Sequence, residues 1–424
     1  MKPTLLLSAL LAMSLHAASI TELFDALAHN PSVRLDALSV ANAKIAQDMA
    51  TAALYPKIDG MVGFDHYNHP TNLLPLPPNK ILPMVKNPAV PQPFSTTIKR
   101  AGVTASMPLF VKSLFTLRAR TQALHLSAQK RKKLQFLQKE AMLVAADAQW
   151  LYLRHALEAL QTKERSLRTS LKHIALQVKS GRASESARYK IEEALNAIAI
   201  SENEIRIKIE QAKATIYELT GITLTAPVPL RHAGKMAMAH LFALEPLEAK
   251  ARADALAVRA QREKLYPSLV ARGSYFYNDA DAYNNDKDID EEYASYGIYL
   301  KMPLFDKQQY ARIEQAKLQR RKAEVMIKKS TLELRAQARR LQAMLPLLSL
   351  SVEAARASAQ NREKLLRIAK VSFENRRMSE EEYLRYEDAR AEAQARVRAL
   401  EATRWQTVAQ LAVLYGNNLK GIVK

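Results

Sequence analysis

Apolar and polar residues alternate strictly in a few short stretches of this chain, and most of what lies between them carries helical periodicity. Over 57–67, Ile58, Val62 and Phe64 fall on one face and Lys57, Asp59 and Asp65 on the other. Over 96–107, Thr97, Ala101, Val103, Ala105 and Met107 share a face opposite Arg100, Gly102, Thr104 and Ser106. Over 293–302, Ala294, Tyr296, Ile298, Leu300 and Met302 align in the same way, and 268–278 reads as a fourth extended run. A period of two predicts strands with one apolar and one polar face. Residues 68–95 are rich in Pro and Asn and predict an irregular loop; 279–292 predicts an acidic one.

The helical stretches are long. Residues 109–180 contain no interior Pro or Gly, and at ~1.5 Å per residue they predict a helix on the order of 100 Å. Residues 304–374 predict a second, with a kink or local break at Pro346. Shorter helices are predicted over 31–54, opened by Asn30-Pro31, and over 184–220, 246–265 and 380–414. In 184–220, Ile191, Ile198, Ile205, Ala212 and Leu219 recur every seven residues, with Leu195, Ile209 and Ile216 in a second register that Glu202 interrupts. In the preceding helix Leu134, Ala141 and Ala148 alternate with Leu137, Val144 and Leu151. These are coiled-coil seams. They predict antiparallel hairpins whose turns are exposed tips, the first N-capped by Ser184.

An offset of 195 residues superposes much of this pattern. It lays Met107-Pro-Leu-Phe110 on Met302-Pro-Leu-Phe305, Gly181-Arg182 on Arg376-Arg377, Ser184 on Ser379 and Gly221 on Gly416, and Tyr55-Pro56 recurs, at a different spacing, as Tyr266-Pro267. Such spacing predicts an internal duplication: a first repeat over 19–226, a connector over 227–245 and a second repeat over 246–424. Residues 1–18 read as a secretory signal peptide, with Lys2 before an apolar run and Ala17-Ala18 at its exit. No later stretch offers the ~20 apolar residues of a membrane helix. An exported chain of this kind that crosses lipid must do so with strands. Four strands cannot close a barrel, so other copies must complete it.

Composition narrows the chemistry. Cysteine is absent, which excludes disulfides, thiolate metal sites, cysteine nucleophiles and a lipid anchor on a mature N-terminal Cys. The formal charge of +21 is spread along helices with both signs interleaved, as on solvated helix faces, and export argues against nucleic acid as the partner. There is no phosphate loop, metal cluster or nucleophile–base pair, so neither an enzyme nor a cofactor is expected.

Taken together, the Asn30-Pro31 opening, the paired Leu54-Tyr55-Pro56 and Leu265-Tyr266-Pro267, the two Met-Pro-Leu-Phe joins, the two hairpin tips and the repeated Gly221 and Gly416 resemble the TolC-type outer-membrane efflux protein family over nearly all of the mature chain. The resemblance implies a mainly α fold with a small β part. In it, three copies close a 12-stranded outer-membrane barrel continuous with an α-helical periplasmic barrel. It implies a homotrimer in the outer membrane lipid of a Gram-negative bacterium and a passive exit duct without cofactor or bound metal. The tips would dock onto a periplasmic adaptor linked to an inner-membrane transporter of RND or ABC type. Small-molecule efflux is the favoured use; protein secretion through a type I system is the alternative, and an exported coiled-coil scaffold without a pore the remote one.

The resemblance places adaptor contact at Gly181, Arg182, Ala183 and Ser184, which match a Gly-x-x-Ser/Thr turn, and at Arg376, Arg377, Met378 and Ser379, where Arg stands in place of Gly. The bland alternative is a plain helix–loop–helix turn. Glu374 and Lys179 are candidates for a periplasmic gate, against solvated helix ends. Lys130-Arg-Lys-Lys133 and Arg320-Arg-Lys322 either line a lumen or face water and lipid headgroups. The acidic run from Asp279 to Glu292 either binds a divalent cation or is an exposed loop. His66 and His69 are expected beside a loop, solvated.

Overall fold

The computed structural model describes residues 19–424; the signal peptide expected over 1–18 lies outside the described residues. The chain forms two compact units, each drawn from both halves of the sequence. One gathers 19–38, Gln129–Glu245 and Lys328–Lys424; the other gathers Ser39–Ala128 and Pro246–Ile327.

The second unit holds one four-stranded antiparallel sheet in the order β1-β2-β3-β4. Its strands are β1 (Lys57–Asn72), β2 (Phe94–Phe110), β3 (Ser268–Asp281) and β4 (Asp288–Lys301). All overrun the alternating stretches except at the end of β4. Cross-strand pairs such as Gly60↔Val103↔Tyr275↔Ala294 and Ile58↔Ala105↔Gly273↔Tyr296 put the apolar positions of every strand on one face. The acidic run is mostly hairpin rather than loop. Asp279 pairs with Asp290 and Asp281 with Asp288, leaving only 282–287 outside the strands. Backbone pairing, indifferent to side-chain polarity, carries these strands past the apolar band. The Pro- and Asn-rich stretch 68–95 likewise lends its ends to strands and contains a helix, α3 (Pro78–Lys86), with Pro at its first turn.

The two Met-Pro-Leu-Phe joins differ. Met107–Phe110 belongs to β2, and its pairing with β3 shifts between Pro108 and Phe110, as suits a proline without a ladder donor. Helix α4 follows at Lys112. In the second join β4 stops at Lys301, 302–306 are irregular, and α7 starts at Lys307.

The first unit is helical. Its elements include α1 (Ile20–Ala28), α5 (Glu185–Thr220) and α8 (Glu380–Tyr415), with parts of α2 (Pro31–Ala52), α4 (Lys112–Lys179) and α7 (Lys307–Glu374). Helix α6 (Glu245–Glu263) falls almost wholly in the sheet unit. Helices α4 and α7 have 68 residues each, a rise of ~100 Å. The core joins Leu23 and Phe24 of α1, Val144 and Trp150 of α4, Ile216 of α5 and Val408 of α8. The heptad positions Ile198, Ile209, Ala212, Ile216 and Leu219 are buried, as the seam requires. The Asn30-Pro31 break is tied down: Asn30 Nδ2 donates to the carbonyls of Glu218 and Leu219, and its Oδ1 accepts from Ser32 N. Helix α7 passes through Pro346 without the expected break. Buried Leu341 and Val352 on either side hold it, so the lost hydrogen bond does not open the turn.

Candidate functional site

The two hairpin tips, both in the helical unit, follow one backbone path. At the first, α4 ends with Gly181 at φ 72°, and Arg182 N donates back to Gln177 O at 2.8 Å. At the second, α7 ends with Arg376 at φ 59°, and Arg377 N donates to Ser372 O at 2.8 Å. Both are helix ends closed by a left-handed residue and a six-to-one bond. Glycine takes that conformation without cost; an arginine pays about 1 kcal/mol. Arg182 and Arg377 are exposed at equivalent places, while Ala183 and Met378 are both half-buried.

The next step separates the tips. Ser379 accepts from Glu382 N at 3.2 Å while the Glu382 carboxylate accepts from Ser379 N at 3.2 Å, a complete capping box. Ser184 occupies the N-cap of α5 but makes no capping bond; its hydroxyl pairs with that of Ser186 at 2.8 Å. Ala187, in the place of Glu382, has no carboxylate for the reciprocal bond, and its N donates to the Ser184 carbonyl at 3.0 Å rather than to the hydroxyl. Phe373 and Tyr383 also stack across the second turn, ring centroids 5.0 Å apart.

The gate candidates Lys179 and Glu374 lie at the ends of α4 and α7, both exposed. Glu374 forms a loose i,i+4 ion pair with Lys370 at 3.9 Å, both side chains about 60% exposed.

The basic clusters do not act as blocks. Lys130 pairs with Glu245 at 2.7 Å, and Lys130 and Lys133 lie over the Phe242 ring at 5.7 and 4.7 Å. They secure the end of the connector, while Arg131 and Lys133 are also exposed. Arg320 pairs along its own helix with Glu324. Among the described residues no three His, Asp or Glu side chains are grouped for a metal ion. His66 and His69 lie within β1, not beside a loop; both are exposed, and His66 Nδ1 contacts Thr97 Oγ1 at 3.0 Å.

The sheet carries the other half of the site. On one face Ile58, Val62, Phe64, Tyr296, Ile298 and Leu300 are two-thirds or more exposed. The apolar rows of β3 run from Leu269 to Tyr277. Nine residues at ~3.3 Å each give an apolar run roughly 30 Å long. Toward the hairpin ends the same face becomes charged, with Lys99 paired to Asp279 at 3.1 Å. The opposite face carries Arg100, Thr104, Ser106, Arg272, Ser274 and Ser295. It also carries the aromatics Phe276, Tyr293 and Tyr299; Phe276 lies over Gly102, where a Cβ would come within 2.1 Å of its ring and 2.6 Å of the Tyr275 carbonyl. Among the described residues the outer edges of β1 and β4 have no partner strand. Among the described residues no helix is long and apolar enough to cross a membrane.

Two functional residues went unread in the sequence. Glu140 and Asp147, seven apart on α4, are buried at 1% and 0% exposure. Glu140 accepts from Leu419 N at 3.0 Å and Asp147 from Val228 N at 2.9 Å, so α4 grips both the connector and the C-terminal segment. Burial pushes each carboxyl up to about 7, against the lowering effect of its one backbone hydrogen bond and, for Glu140, of Lys420. The signal was available: each acid directly precedes a seam residue, Ala141 or Ala148, and so shares the seam's spacing.

No protein-family model and no curated protein matches this chain. Solved structures do. The CmeC outer membrane channel of Campylobacter jejuni aligns with a TM-score of 0.72 at 15% identity, over 95% of this chain and 85% of that one. The outer membrane protein VceC of Vibrio cholerae gives 0.71 at 12% identity, over 94% and 96%. The MtrE outer membrane channel of Neisseria gonorrhoeae, in its open state, gives 0.69 at 15%, over 95% and 90%. Identities this low establish likeness of fold, and nearly the whole chain shares it.

Proposed function

We propose that this chain is a member of the TolC-type outer-membrane efflux proteins and one of three identical subunits of an exit duct. The observation that carries the proposal is the sheet: four strands, an exposed apolar face about as tall as a bilayer's hydrocarbon core, and two open edges. Backbone donors and acceptors on those edges cannot be left in lipid. Three such sheets joined edge to edge give 12 strands and leave no edge. The polar face then lines the lumen. The correspondences at an offset of 195 residues support an ancestral duplication, and the fold likeness to solved outer-membrane channels supports the location.

In this reading the long helices form the periplasmic part of the duct, and the two tips meet a periplasmic adaptor served by an inner-membrane transporter. Exposed Arg182 and Arg377, projecting from rigid turns, suit carbonyls and carboxylates on an adaptor hairpin. The duct itself is passive; the transporter supplies the energy and selects small-molecule cargo. Lys179 and Glu374 sit where a gate at the periplasmic mouth would be.

Reconstitution of the purified protein in planar bilayers tests the duct. Long-lived conductance steps are expected, and a correctly inserted but silent protein contradicts the reading. Because the chain lacks cysteine, Ala183→Cys and Met378→Cys each provide a unique thiol. Both should cross-link to a coexpressed adaptor, and cysteines placed mid-helix should not.

A further inference from the structure

A cleft of about 480 Å³ opens in the helical unit between α4, the connector, α7 and α8. Its wall is apolar where Leu151, Leu230 and the Trp405 indole line it. Four arginines also line it, Arg231, Arg356, Arg398 and Arg404, against one carboxylate, Glu401. That carboxylate is spoken for: one oxygen takes Arg356 at 2.5 Å and the other Arg398 at 2.8 Å. Arg404 Nε is buried and has no hydrogen-bond partner, while its guanidinium lies 5.9 Å from the Trp405 ring centroid. Asp147, next in sequence to Ala148 of the cleft wall, turns Oδ1 to Val228 N, and its Oδ2 has no hydrogen-bond partner. Leaving a buried donor without an acceptor is costly, and native proteins rarely do so without a reason.

We infer that this cleft binds an amphipathic organic anion, a carboxylate or similar head on an apolar body. The head meets Arg404 and Arg231, the two guanidinium groups that Glu401 does not neutralise. The body lies against Trp405, Leu151 and Leu230. The volume falls within the ~300–1,000 Å³ range of small-molecule sites. A bare inorganic anion would leave the apolar wall wet, and a neutral apolar molecule would leave Arg404 Nε unpaired. The site is distinct from the tips and the sheet, and binding to it can be read whether or not the protein conducts.

The chain has two tryptophans, so Trp150→Phe leaves Trp405 as a single reporter on the cleft wall. The detergent-solubilised assembly of that variant is titrated with cyclohexanecarboxylate, which does not absorb where indole is excited. A saturable change in Trp405 emission is expected. Loss of a charge-assisted bond should shift its midpoint upward about tenfold in Arg404→Gln and in Arg231→Gln. Arg231 is on the exposed connector, so its variant decides the matter if Arg404→Gln does not assemble. Cyclohexylmethanol and inorganic phosphate, at matched concentrations, should produce little change. The inference is overturned by no response at all, by midpoints unmoved in the assembled variants, by an equal response to the neutral alcohol, or by an equal response to phosphate.

Discussion

At the first hairpin tip the left-handed residue is Gly181; at the second, 195 residues on, it is Arg376. The closing hydrogen bonds match in partner spacing and length, so the turn is set by backbone geometry and tolerates either residue. The same offset pairs Gly102 with Gly297 and Glu140 and Asp147 with Arg335 and Gln342, and there the halves part company. Gly102 has Phe276 and a backbone carbonyl where its Cβ would be, whereas Gly297 would meet only the Tyr299 side chain at 3.3 Å or more. Glu140 and Asp147 are buried under the connector and the C-terminal segment; Arg335 and Gln342 are exposed. The two tips thus keep the same backbone path, while at other positions 195 residues apart the surroundings impose different constraints.

This contrast can be broken most severely in the sheet. Gly102→Val should abolish the stable outer-membrane assembly, because its side chain overlaps Phe276 and the Tyr275 carbonyl. Gly297→Val, at the equivalent place, should assemble nearly as wild type, since a flexible tyrosine end can give way. Heat-modifiable mobility of outer-membrane fractions reads both. A reversed ranking would mean that the strands pack differently from the registers described.

The buried acids should give the next largest effect. With the folded-state carboxyl of Asp147 near 7 and its ordinary value of 3.8 in the unfolded chain, the folded protein holds the proton more tightly. Stability from this source is complete below pH ~4 and is lost as pH rises through 7. Asp147→Asn keeps an acceptor for Val228 N and removes the ionisation. It should raise the unfolding temperature at pH 8, by an amount corresponding to roughly 2–4 kcal/mol, and leave it nearly unchanged at pH 4. Glu140→Gln should act in the same direction, and Gln342→Glu on the exposed counterpart should not introduce such a pH dependence. Thermal unfolding of the solubilised protein across pH 4–8 checks all three.

The tips should respond least. Ser379→Ala removes a capping box and should cost about 1 kcal/mol; Ser184→Ala, which removes no capping bond, should cost a few tenths. Arg376→Gly should stabilise by up to about 1 kcal/mol through relief of the left-handed strain, offset in part by the greater freedom of glycine in the unfolded chain. Hydrogen exchange in the last turn of α7 and the first turns of α5 and α8 resolves changes of this size.

The sequence was most readable where one physical requirement acts alone. Heptad spacing located the hairpins, alternation located the strand centres, and Gly181, Gly221 and Gly416 marked helix ends that are indeed left-handed. It was least readable where requirements compete. The Asp279–Glu292 hairpin is polar, so side-chain patterning reads it as loop although backbone pairing makes it strand. Helix α3 lies hidden among prolines, two of which it accommodates at 78 and 83. Pro346 reads as a breaker, but the packing of Leu341 and Val352 overrides it. At the tips the sequence located every candidate residue from Gly181 to Ser184 and from Arg376 to Ser379. It did not disclose that Ser184 would lack the cap that Ser379 makes; Ala187 in place of a glutamate excluded only the reciprocal half of a capping box. The arginine cleft assembles residues from the connector, α7 and α8, a juxtaposition no local pattern encodes.

Everything proposed about the duct depends on three sheets sharing their open edges. Native mass spectrometry of the species extracted from outer membranes tests that dependence directly. Release of a complex of three identical mature chains is the expected result. A single chain, folded and free of partners, would contradict it.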